Sequence, residues 1–125
     1  MAASGVTTYG KQQMLIISTG LIPPPTLYLA LFSTSGDPGG TTTELAVSNY
    51  ARQPVPFYVV QAGQLANATD ITFYSLGTGT FLGQQLLDAS TGTTVWCWID
   101  QASSVGFTGP TDLTYPAGTL TLLVS

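Results

Sequence analysis

Charge is the scarcest commodity in this sequence. Only 6% of its 125 residues are charged, against roughly 25% in ordinary soluble domains. Lys11 and Arg52 are the only cations, set against Asp37, Glu44, Asp70, Asp88, Asp100 and Asp112 for a net charge of −4. Neutralising nucleic-acid phosphates takes clustered Lys and Arg, so two separated cations exclude that class of partner. Histidine is absent, which leaves no imidazole to activate a nucleophile. The single cysteine, Cys97, excludes an internal disulfide and a four-cysteine metal site. No apolar run approaches the roughly 20 residues of a membrane span. The first ten residues lack a basic stretch followed by an apolar one, so no secretory signal is expected.

What remains is apolar and hydroxyl-rich. An apolar content of 44% can offset the ordering entropy that keeps polar tracts unfolded, and 125 residues suffice for one domain with a core. Depletion of charge is also the signature of a buried subunit interface, so the composition is that of an assembly component, expected to be a homo-oligomer.

Residues 1–8 are small and polar and read as an arm, ordered only where something binds it. Met14, Ile17 and Leu21 recur at helical spacing, and Gly20 suits a C-terminal cap, which predicts a short helix over about 9–20. Pro23-Pro24-Pro25 forbids its continuation. The rest reads as β. In Thr26–Ser33 the leucines Leu27, Leu29 and Leu31 alternate with Tyr28, Ala30 and Phe32, so both faces are apolar and the strand should be central. A polar loop follows over 34–43, then a short candidate strand over 44–48. The next strand, 51–60, carries Pro54 and Pro56 at the same parity, which fits an edge strand or a bulge. Further strands are expected over 70–74, 81–87, 93–100 and 119–124, with Asp88-Ala-Ser-Thr-Gly92 as a β-hairpin connection. Short strands separated by turns predict a mainly β fold, an antiparallel β-sandwich of jelly-roll or immunoglobulin-like type with a short N-terminal helix. One domain, 9–125, follows the arm.

The order of these segments resembles a family of small virion proteins of tailed bacteriophages, described as head decoration or cement proteins or as tail or fibre-like proteins. The resemblance rests on Thr26-Leu-Tyr-Leu-Ala-Leu-Phe32, the Asp37-Pro38 loop, Glu44, Tyr50-Ala-Arg-Gln-Pro-Val55, the Asp70-Ile-Thr-Phe strand and the ending Tyr115-Pro-Ala-Gly-Thr-Leu-Thr-Leu122. It runs from about residue 9 to the end and implies a structural protein located in the virion, without cofactor. The chain departs from the family at Val47-Ser48-Asn49, where glycines are common, and at Phe32, where histidine is more usual.

The candidate site residues are Arg52, Tyr50, Glu44, Trp96 and Trp98. Arg52 could meet a phosphate, a carboxylated sugar or a subunit. A structural fork to Glu44 or to an aspartate is preferred, because one arginine without basic neighbours makes a poor anion site. Trp96 and Trp98 share a parity and could stack on sugar rings or fill a partner's pocket, but core or interface packing is the simpler reading. Cys97 between them reads as a small buried hydrophobe. Paired carboxylates could serve glycoside hydrolysis, yet Asp88 and Asp112 sit in turns, where hydrogen bonding to the backbone explains them. Catalytic residues and metal ligands are therefore not expected, and calcium near Asp37 has no motif behind it. The leading expectation is a capsid cement or decoration subunit stabilising the head shell, with the major capsid protein as partner. The alternatives are a tail- or fibre-associated module and a carbohydrate-binding domain.

Overall fold

Alternating apolar residues build the sheet in which everything else is placed. The computed structural model describes residues 4–7, 10, 12, 26–61, 64–88 and 94–123. Among these residues nine strands follow in chain order: β1 Ser4–Val6, β2 Thr26–Phe32, β3 Gln53–Gln61, β4 Gln64–Asn67, β5 Ile71–Leu76, β6 Gly79–Leu87, β7 Val95–Phe107, β8 Thr111–Tyr115 and β9 Thr121–Leu123. Seven of them form one antiparallel sheet in the order β1-β7-β6-β2-β3-β4-β9, and β5 and β8 pair as a separate ribbon. The mainly β, antiparallel architecture agrees with the sequence pattern. Among the described residues the strands divide seven and two, and the pair of comparable sheets expected of a jelly-roll or immunoglobulin-like sandwich is not seen. The helix expected over about 9–20 falls almost wholly outside the described residues.

β2 lies between β6 and β3, and both of its faces are covered. Leu27, Leu29 and Leu31 enter the main core with Val55, Phe57, Leu65, Phe81 and Leu86, and the ribbon contributes Ile71, Phe73 and Leu76 to the same cluster. On the opposite face Ala30 and Phe32 pack with Leu87 and Val95 in a second, smaller cluster. Burial of this kind is worth about 25 cal/mol per Å² of apolar surface.

Three local readings are corrected or narrowed. Ser4–Val6 is not a trailing arm: it pairs with β7, Ser4 opposite Ile99 and Val6 opposite Cys97, and Thr7 N–H continues the contact to the Trp96 carbonyl. The edge expected of β3 is confined to its proline half: among the described residues Gln53–Pro56 pairs with β2 alone, and Phe57–Gln61 pairs with β4. Its prolines are tolerated because β4 ends at Asn67, opposite Phe57. The Pro56 carbonyl accepts the Ala68 N–H at 2.7 Å. Groups of one residue point to one side of an antiparallel strand, so the ring nitrogens of Pro54 and Pro56 face this flank, where the ladder asks for no further donor. The bulge in β3 comes later, at Val60, where the pairing with β4 shifts. Third, Thr111–Tyr115, read in part as a turn, is a strand paired with β5.

β7 is longer than its periodicity suggested because its register against β6 slips twice. Near its start Leu86 faces Cys97 while Leu87 faces Val95, leaving Trp96 as the extra residue. Further on Phe81 faces Val105 and Gly83 faces Asp100, so residues 101–104 stand against Leu82 alone. Such bulges increase local twist and re-aim side chains.

Candidate functional site

Tyr50, Arg52 and Glu44 meet at the end of the long loop between β2 and β3. Glu44 is held there by an isolated bridge to Phe32, and the loop neck is closed by Ser33 N–H to the Thr43 carbonyl and Leu45 N–H to the Leu31 carbonyl, both 2.9 Å. Arg52 donates through Nε to Glu44 Oε2 and through Nη2 to Oε1, each at 2.9 Å. This is the bidentate fork that a planar guanidinium favours. The Tyr50 hydroxyl donates to Glu44 Oε2 at 2.5 Å and accepts the Leu31 N–H at 3.0 Å. Its ring stacks on Phe73 with centroids 6.0 Å apart, so the polar node is welded to the core.

The members of the node set one another's protonation. Burial pushes the Glu44 carboxyl up, but the bonds from Arg52 and Tyr50 outweigh it and hold the group below its ordinary value. The bond to Glu44 raises Arg52 in turn. Burial, with the bond given to Glu44, raises the Tyr50 phenol. The side chains are 13% exposed for Arg52 and 31% for Glu44, so the pair is partly shielded from solvent screening.

A second anchor, absent from the sequence reading, fixes the start of the same loop. Asp100 on β7 is buried and accepts the Ser35 hydroxyl at 2.5 Å and the Gly36 N–H at 2.8 Å. Gln85 on β6 donates to the Gly36 carbonyl at 2.7 Å. The loop crosses β6 so closely that a Cβ on Gly83 would lie 2.2 Å from Gly36 N. The signal that could have revealed this anchor is the Gly83 interruption of an otherwise large-residue strand. Asp37 then turns the loop by accepting the Gly39 N–H at 2.8 Å. Held at both ends, the loop borders a cleft of about 360 Å³ lined by Phe32, Leu87, Val95, Glu44, Arg52 and Gln85.

The two tryptophans do not form a platform. Because Trp96 is the bulge residue, it is buried at 4% exposure in the main core together with Cys97, while Trp98 is half-buried. Burial pushes the Cys97 thiol up to about 12, which leaves it protonated and inert at neutral pH. The remaining carboxylates hold backbone: Asp70 accepts the Ala117 N–H and Asp112 the Ser75 N–H, both at 2.8 Å. Asn67, 0% exposed, is a further hub. It donates to the Thr69 and Pro116 carbonyls and accepts the Leu120 N–H, tying the last turn to β4. No group of three or more metal-ligating side chains occurs among the described residues.

No protein of curated description matches the chain. A family model described as "Podophage GP4 fiber I protein gp80" matches residues 5–123, which takes in every strand but the first residue of β1. With nearly its whole length inside that match, the chain belongs to this family of tailed-phage, fibre-like structural proteins and is a component of the virion.

Proposed function

We propose that the chain is a non-enzymatic subunit of the phage tail or its fibres, in contact with copies of itself and with other tail proteins. The observation that carries this reading is the family match to a fibre protein over residues 5–123. It favours the fibre-associated alternative over the head cement expected first, and with that alternative the proposed partner becomes a tail component in place of the major capsid protein. The chemistry of the side chains supports a structural role. Five of the six carboxylates hold a backbone N–H, a hydroxyl or Arg52, and a carboxylate so engaged is poorly placed for acid–base work. Surfaces for assembly are present. On β3 Tyr58 and Val60 are large, apolar and exposed, and β8 is paired on one side only among the described strands, an edge that a neighbouring chain can cover.

Labelling the chain in intact virions and imaging them tests the proposal. A small fixed number of labels at the tail or its fibres is expected. Labels spread over the head lattice would overturn it and restore the cement reading.

A further inference from the structure

We infer that the outer edge of β8 is the contact through which two copies of this chain join, antiparallel and about a two-fold axis at Leu113, into a continuous four-stranded sheet β5-β8-β8-β5. The inference gives a definite surface to the self-association proposed above and rests on that reading. β8 pairs with β5 on one side and, among the described strands, with nothing on the other. A row of unpaired N–H and C=O groups invites another chain, and natural folds blunt such rows with short strands, prolines, charges or bulges. Other edges of this fold show those guards. β1 and β9, the outermost strands of the large sheet, are three residues each. The half of β3 that β4 leaves bare carries Pro54 and Pro56. The far half of β7 is broken by the excursion of residues 101–104, and Asn49 and Ser48 bond the end of β5 at Ser75 and Gly77. β8 is not blunted in these ways. Its residues Thr-Asp-Leu-Thr-Tyr include no proline and no lysine, and threonine and tyrosine suit a strand. The extra residue where the pairing with β5 slips lies in β5, since Phe73 faces Leu113 and Leu76 faces Thr111, so β8 itself runs regularly.

Charge and register decide the occupant. Asp112 is the single charge of β8, and it is turned back onto its own ribbon, where it accepts the Ser75 N–H at 2.8 Å. In two antiparallel copies centred on Leu113, Asp112 of one stands opposite Thr114 of the other, Thr111 opposite Tyr115, and Leu113 opposite its own copy. Asp112 and Thr114 share a parity and are both exposed. The Thr72 and Thr114 hydroxyls lie 3.1 Å apart and either can donate. With Thr72 donating, Thr114 keeps its proton for the carboxylate opposite, which has acceptor positions to spare. A parallel pair in register would instead set the two Asp112 carboxylates side by side, and like charges directly opposite are unfavourable. On the inward parity Leu113 and Tyr115 are partly buried against the main core. A second β8 alongside would extend that apolar layer with its own Leu113 and Tyr115. The strand is thus complementary to itself in one register, as a two-fold contact requires.

The test is analytical sedimentation of the purified full chain from micromolar to millimolar concentration, where a reversible monomer–dimer equilibrium is expected. Thr114→Asp sets a second carboxylate against Asp112 of the other copy and should weaken dimerisation about tenfold or more, the equivalent of 1.4 kcal/mol. Thr114→Lys sets an ammonium there and should leave the dimer at least as tight. Tyr58→Ser, at an exposed position on β3, should not change it. Register is read by oxidative cross-linking: a mixture of Asp112→Cys and Thr114→Cys chains should form disulfide dimers faster than either variant alone. A chain monomeric at every concentration, a dimer equally tight with Thr114→Asp, a dimer lost in Tyr58→Ser, or self-linking as fast as the mixture would each overturn the proposal. So would a monomeric chain whose Thr114→Asp variant fails to enter virions, a result that gives the edge to another tail protein. The place of the chain in the virion is read separately by imaging, so a monomer here leaves the tail assignment standing, and labels on the head would leave the dimer standing.

Discussion

Breaking the Glu44–Arg52 fork should cost more than breaking a surface ion pair, and by a coupled amount. An exposed pair contributes about 0–1 kcal/mol, whereas stripping one member from a fully buried pair costs about 3–5 kcal/mol. With side chains 13% and 31% exposed, this pair lies between. Arg52→Ala removes two charge-assisted bonds and should destabilise by about 2 kcal/mol. Glu44→Ala also takes the acceptor from the Tyr50 hydroxyl and the carboxylate from Arg52, so it should cost about 3 kcal/mol. The double variant should cost little more than Glu44→Ala alone, a coupling of about 1–2 kcal/mol. Urea unfolding of the four proteins measures this, and the corresponding fall in Tm for Arg52→Ala is roughly 6–12 °C for a domain of this size. The pH dependence has a definite sign. The folded Glu44 carboxyl lies below its ordinary value of 4.5, so between the two values the unfolded chain binds more protons and stability rises with pH. The contribution of the node is complete above pH 4.5 and is lost as pH falls through the lowered folded value; Glu44→Gln should flatten that limb. Additive single-mutant effects, with a coupling under about 0.3 kcal/mol, would refute the idea that the node acts as one unit.

Asn67→Ala should be among the most damaging single changes, because it leaves the Leu120 N–H and the Thr69 carbonyl without the Asn67 side chain and takes from the Pro116 carbonyl one of its donors, the others being Thr119 N–H and hydroxyl. A loss of about 3 kcal/mol or more in urea unfolding is expected, and a loss below about 1 kcal/mol would show that the last turn is held by something else. Gly83→Ala places a Cβ 2.2 Å from Gly36 N and 2.7 Å from the Thr34 carbonyl, both backbone atoms, so it should cost about 1–3 kcal/mol and increase hydrogen exchange at Ser35, Gly36 and Asp37. Cys97 should resist a thiol reagent in the folded protein and react at once in denaturant. Its thiol is raised from 9.0 to about 12 by burial, so the stability that this contributes is complete below pH 9 and is lost as pH rises toward 12. Fast labelling of the native protein at pH 8 would place Cys97 nearer the surface than its packing implies.

Much of the architecture was legible from alternation alone. The leucines of β2 announced a central strand, and Asp88-Ala-Ser-Thr-Gly92 announced the β6–β7 hairpin, whose arms meet at Leu87 and Val95, because both are signals within a few residues. Scarcity of charge was informative too: with two cations in the chain, Arg52 had few carboxylates to choose from, and Glu44 was one of those named. The sequence could not say which carboxylate it would be, because the choice depends on where the loop returns to β2.

Register and long-range pairing were decided by tertiary structure. A one-residue bulge at Trp96 is invisible to a period-two pattern, yet it separates two tryptophans that parity puts together. The prolines of β3 signalled a missing neighbour, and β4 does stop just short of them; where along the strand the next pairing begins, at Phe57, was set by the tertiary structure. Asp100 reaches Ser35 across 65 residues of chain, a distance over which no local propensity carries information. By itself, then, the sequence determined a mainly β chain, poor in charge, with one arginine in need of a carboxylate. Where the strands slip, which acid holds which loop, and the cleft that results were settled only when distant segments had to satisfy one another's hydrogen bonds in a shared interior.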